Sequence, residues 1–188
     1  MSKPSASDLP LKEKGRGDAS RRDSQGEPRG GEGKSTGKRR MAREMALQML
    51  YQSELGSSTP MQVQAAFDRS EYLAGASGDY QTRKKLVDDA FLYATTLLRG
   101  ATGHQEAIDR RIQSQADNWR LERMPAVDRN ILRLAFYEIL HEDETPPLVV
   151  VDEAIELAKK FGSEQSSRFI NGLLDGFLKK HQPTAARG

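Results

Sequence analysis

Apolar residues recur at helical spacing from Arg39 onward and almost nowhere before it. Ala42, Ala46, Met49 and Leu50 share one stripe, with Leu47 and Tyr51 beside it, which predicts a helix closed by Gly56. Thr59-Pro60 opens a second, with Thr as N-cap and Pro at the first helical position; Val63, Ala66, Phe67 and Leu73 are its apolar residues. Gly75 to Gly78 reads as a loop. A third helix is expected from about Thr82 to Arg99 on Leu86, Ala90, Phe91, Ala94, Leu97 and Leu98, broken by Gly100 and Gly103. A weaker fourth carries Ile108, Ile112 and Trp119.

Asp128 to His141 is apolar on more than half its circumference, through Ile131, Leu132, Leu134, Ala135, Phe136, Ile139 and Leu140. Such a helix belongs in the middle of a bundle. Leu148 to Val151 looks strand-like, yet no second strand exists to pair with it, and Pro146-Pro147 is well placed to open a helix. It reads as the start of a helix to Phe161, with Val151, Ala154, Ile155 and Ala158 facing in. Gly162 stops that helix, and Ser163 caps a last one whose inner face is Phe169, Ile170, Leu173, Leu174 and Phe177. The expected fold is all-α, a compact bundle of six or seven helices with no sheet and no internal repeat.

Residues 1–37 are built from Ser, Gly, Pro, Lys, Arg and Glu, with only Leu9 and Leu11 as large apolar residues after Met1. A segment with so little to bury cannot offset its ordering entropy, so a disordered N-terminal tail is expected over 1–37, a helical domain over 38–181 and a disordered end over 182–188. Gly31 to Thr36 imitates a phosphate-binding loop, but the glycine that the motif needs five residues before Gly33 is Pro28, and no strand precedes it. The absence of cysteine excludes disulfides and thiolate metal sites. No apolar run approaches a bilayer span, and no signal-peptide core lies between Met1 and Gly37, so a cytoplasmic protein without membrane contact is expected.

Charge is small in total, +2, but unevenly placed. The tail carries eight basic and six acidic side chains; Lys38, Arg39, Arg40 and Arg43 follow within one helical start; the remainder holds seventeen basic against twenty-one acidic. A basic entrance on a mildly acidic body suggests a local anionic partner. Cations at a helix N-terminus oppose the macrodipole, so the cluster is either solvated charge at a linker end or a phosphate contact. A second cluster surrounds Gly162: Lys159, Lys160 and Phe161 before it, Arg168, Phe169 and Asn171 after it. Phe169 and Asn171 have the chemistry to stack on and hydrogen-bond a base, although helical spacing with Leu173 and Phe177 also turns Phe169 toward the core. Arg129 and Arg133 read as intramolecular partners of Glu138 or another bundle carboxylate.

Catalytic signatures are absent. His104, His141 and His181 lie in different expected segments, and no H-E-x-x-H, G-x-S-x-G or dinucleotide-binding glycine turn occurs. Asp88-Asp89 and Asp152-Glu153 are sequence neighbours, so on a helix each pair diverges by about 100° and reads as a solvated face or helix-start charge. No catalytic residue, metal site or cofactor is expected.

Three stretches, read together, resemble the NusB family of bacterial transcription antitermination factors: Arg39 to Tyr51, Val127 to Leu140, and Asp152 to Gly162 followed by Arg168 to Asp175. The resemblance covers about residues 38–180 in order. It implies two packed helical subdomains, binding of the boxA RNA of ribosomal RNA operons jointly with the ribosomal protein NusE, and entry into the RNA polymerase elongation complex. Carried over by position, it implies RNA contact at Lys38, Arg39, Arg40, Arg43, Lys159, Arg168, Phe169, Asn171 and Gly172. It implies NusE contact at Asp128 and at Gln165, where the family is commonly acidic. A protein-interaction bundle without RNA contact is the rival. An enzyme-linked role, as in the similar module ahead of some RNA cytosine methyltransferase domains, is not expected, with no nucleotide-binding sheet up to Gly188. A homodimer that hides the RNA surface is compatible with such a bundle, but no face is marked for it.

Overall fold

The computed structural model describes residues 32–116 and 120–181, with side chains from residue 37. They form α1 (Glu32–Gly56), α2 (Pro60–Ala66), α3 (Ser70–Gly75), α4 (Tyr80–Gly103), α5 (Gln105–Gln115), a 3-10 turn (Leu121–Arg123), α6 (Ala126–His141), α7 (Pro147–Phe161) and α8 (Ser166–His181). Among the described residues there is no strand, and no helix is long and apolar enough to cross a membrane. Residues 1–31, Trp119 and residues 182–188, which include most of the expected tail, the C-terminal end and Gly31 of the phosphate-loop-like stretch, lie outside the described residues. The first helix starts at Glu32, ahead of the Lys38 start expected for the domain.

The most apolar helix takes the central place. α6 packs against α1, α4, α5, α7 and α8. Every residue from Ile131 to Glu138 is buried. α1 makes its main contact with α4, and α7 lies between α6 and α8, so α1–α4 and α5–α8 form two groups around α6. Fully buried Phe136 and Phe177 meet at 4.7 Å between ring centroids. Burying each such side chain contributes about 1.5–3 kcal/mol. The strand-like Leu148 to Val151 is the first turn of α7, opened by Pro147 as its composition suggested.

Three expectations about the elements are corrected. The stretch from Pro60 to Gly75 is two helices, because Asp68 turns the chain by accepting from the Ser70 amide and hydroxyl, each at 2.9 Å. The third expected helix runs through Gly100 to Gly103. Gly100 is there for space, not to break the helix: a Cβ would lie 1.9 Å from the Tyr137 ring. α8 starts at Ser166 rather than directly after Ser163; the Ser163 amide donates to the Ser166 hydroxyl at 2.8 Å, closing the turn between α7 and α8.

Candidate nucleic-acid interface

The basic start of α1 meets acidic partners from the distant half of the chain. Lys38 Nζ lies 4.0 Å from Asp89. Arg39 donates from Nη2 to Glu144 at 2.8 Å and from Nη1 to the Thr145 hydroxyl at 2.6 Å, with its guanidinium 5.6 Å above the Tyr93 ring. Arg40 grips Glu153 through Nε at 3.1 Å and Nη2 at 2.7 Å. That hydrogen bond raises the Arg40 pKa. The four cations of the cluster therefore face four carboxylates, and folding cancels the charge that the bare sequence displays.

Arg43, where the resemblance implies RNA contact, is enclosed in the bundle. Its side chain is 3 % exposed and bonds Glu138, itself 1 % exposed, at 2.6 Å, with Glu153 3.8 Å away. Burial opposes the Arg43 charge, and the Glu138 carboxylate outweighs it, leaving the pKa raised. Removing one partner of such a pair costs about 3–5 kcal/mol, because the other stays buried and uncompensated. Tyr93 donates to the same Glu138 at 3.4 Å, and burial together with that carboxylate pushes its hydroxyl up to about 12. Glu153, read from sequence as part of a solvated face or a helix-start charge, is buried between Arg40 and Arg43.

The second cluster is a cleft. α8 begins against the first turn of α6, and between them lies a cavity of about 440 Å³. Met124, Pro125 and Asp128 form one wall; Ser163, Gln165, Ser166, Arg168 and Phe169 form the other. Asp128 is buried, its Oδ1 has no hydrogen-bond partner, and burial raises its pKa against the pull of the Ser166 hydroxyl. Phe169 satisfies both of its readings: it packs partly against the core and also lines the cleft. Arg168, Asn171 and Gly172 are exposed beside it. Lys159 is exposed and paired with Glu156 at 2.7 Å.

The pairing expected of Arg129 and Arg133 is present, but not with Glu138, which Arg43 occupies. Arg129 binds Glu54 and donates to the carbonyls of Leu121 and Met124, both at 2.8 Å. Arg133 grips Asp109 at 2.8 Å through two nitrogens. His104 and His141, remote in sequence, meet at 4.1 Å between ring centroids, tilted by 32°. Among the described residues no group of three or more metal-binding side chains joins them. The sequence reading missed Glu144, Thr145, Tyr93 and Glu153 around α1, and Met124, Pro125 and Ser166 in the cleft. No local signal marks them: Arg39 and Thr145 are 106 residues apart.

The NusB family model matches residues 40–179. The transcription antitermination protein NusB of Myxococcus xanthus is 41 % identical over 139 residues, covering 74 % of this chain and 93 % of its own length. The solved structure of T. maritima NusB is 36 % identical, with a TM-score of 0.61 over 77 % of this chain and 93 % of that one. A crystal structure of antitermination factors NusB and NusE in complex with dsRNA is 26 % identical, with a TM-score of 0.59 over 77 % of this chain and 98 % of its own. Helix order, the central apolar helix and these matches lead to one conclusion: the chain belongs to the NusB family.

Proposed function

We propose that the protein is a transcription antitermination factor that binds boxA RNA of ribosomal RNA operons together with NusE and joins the RNA polymerase elongation complex. The cleft at the start of α8 carries this reading. Its floor holds a buried acceptor atom without a donor, Asp128 Oδ1, and its rim holds an exposed cation and an aromatic, Arg168 and Phe169. A donor from a partner protein suits the floor, because an unpaired buried acceptor costs about 1–3 kcal/mol until it is satisfied. Single-stranded RNA suits the rim, where a base stacks on Phe169, Asn171 reads its edge, and Gly172 leaves the backbone open to approach. The floor and the rim are continuous, which supports joint rather than separate binding of NusE and RNA. Gln165 brings an amide where the resemblance implies a carboxylate, so its contact to NusE is a neutral hydrogen bond. Lys38, Arg39, Arg40 and Lys159 supply phosphate contacts outside the cleft.

The neutralised start of α1 favours a second reading, a helical protein-interaction module without RNA contact. Titration with a short single-stranded boxA-like RNA, with and without NusE, separates the two. Binding strengthened by NusE is the expected result. Converting Arg39 and Arg40 to Ala is then expected to flatten the log–log salt dependence by roughly 0.7 per lost phosphate contact. Phe169→Ala is expected to cost about 1–3 kcal/mol of affinity at unchanged slope. No binding in either condition at low salt leaves the interaction module as the function.

A further inference from the structure

We propose that Glu144 belongs to the RNA site as an internal competitor: it occupies Arg39 in the free protein, and an RNA phosphate must displace it. The inference rests on the RNA reading above. Arg39 has three neighbours of unequal mobility. Thr145, which receives Nη1 at 2.6 Å, is buried, and Tyr93 is half-buried beneath the guanidinium. Glu144, which receives Nη2 at 2.8 Å, is 76 % exposed on the connection between α6 and α7. Two fixed contacts thus hold the guanidinium in place while the third points to solvent. A phosphate oxygen makes the same charge-assisted bond that this carboxylate oxygen makes.

The neighbouring carboxylates cannot exchange in this way. Glu153 holds Arg40 with both oxygens and is 6 % exposed, and Glu138 is enclosed with Arg43. Leaving would strand a buried charge. Glu144 alone among the four partners of the α1 cluster is both hydrogen-bonded to its cation and largely exposed. An exposed ion pair of this kind holds by a factor of about five at most. That is weak enough for RNA to win and strong enough to disfavour ligands that offer only one or two phosphates.

The test uses the full chain with NusE and a short boxA-like single-stranded RNA over a salt series. E144Q is expected to bind two- to fivefold more tightly, within the roughly fivefold limit of an exposed pair. Its salt dependence is expected to stay near that of the wild type, because Arg39 makes the same phosphate contact in both once Glu144 is out of the way. D143N removes an exposed charge from the same connection without touching Arg39 and is expected to change less. In an Arg39→Ala background E144Q is expected to give no gain. Unchanged affinity for E144Q, an equal gain from D143N, or a gain that persists without Arg39 overturns the competitor role while leaving RNA binding standing. No RNA binding by any form, wild type included, overturns both.

Discussion

The Asp128 carboxylate lies in the first turn of α6, where the helix dipole favours an anion, yet it is buried with one oxygen unpaired. Burial wins, and the pKa rises. A carboxyl whose folded pKa exceeds its unfolded value binds its proton more tightly in the folded state. Stability therefore falls as pH climbs from about 3.9, the ordinary aspartate value, through the raised folded value. At neutral pH the charge is a liability in the unliganded protein. Asp128→Asn keeps an acceptor for the Ser166 hydroxyl and removes the charge. It is expected to raise the unfolding free energy at pH 7 by an amount on the order of 1 kcal/mol. The gain is expected to shrink toward pH 4 in urea titrations. Equal or lower stability at pH 7 would mean the carboxylate has a partner in solution. Binding to NusE is expected to weaken in the same variant, the pattern of a residue kept for contact rather than for folding.

Helices were legible where one face alone decided them. α6 announced itself by being apolar on more than half its circumference, and α7 by its two prolines ahead of Val150 and Val151, both of which are buried. The errors fell on residues with two physical uses. Glycine opens space as well as ending helices, and only Tyr137, 37 positions further on, decides which applies at Gly100. Asp68 is an ordinary surface residue until it caps Ser70 and divides α2 from α3. The basic start of α1 was legible as charge but not as cancelled charge, since its carboxylates come from α4, α6, α7 and the connection before α7. Phe169 was ambiguous in sequence because it does two jobs in the structure. Gly100→Ala tests the spatial reading. Helix propensity alone would favour alanine by about 1 kcal/mol. The Tyr137 clash is expected to reverse the sign and destabilise the protein by about 1–3 kcal/mol in urea unfolding. A neutral or stabilised variant would show that Tyr137 swings aside freely.

At the scale of the whole molecule, α6 is shared by both groups of helices, and its polar residues fasten the ends of others. Arg129 does so across 75 residues, tying Glu54 near the end of α1 to the Leu121 and Met124 carbonyls. The turn that carries the Met124–Pro125 wall of the cleft is therefore anchored through α6 to the other group of helices. Hydrogen exchange makes the consequence measurable. The Met124 amide, which donates to Leu121 at 3.2 Å, looks like the fast-exchanging amide of a surface turn. Clasped through Arg129, it is expected to exchange at the pace at which the last turns of α1 open. Glu54→Gln is expected to accelerate it without touching the cleft, and a ligand seated in the cleft is expected to slow exchange in α1 around Tyr51. Occupancy of the cleft would then be readable from amides in the other half of the bundle.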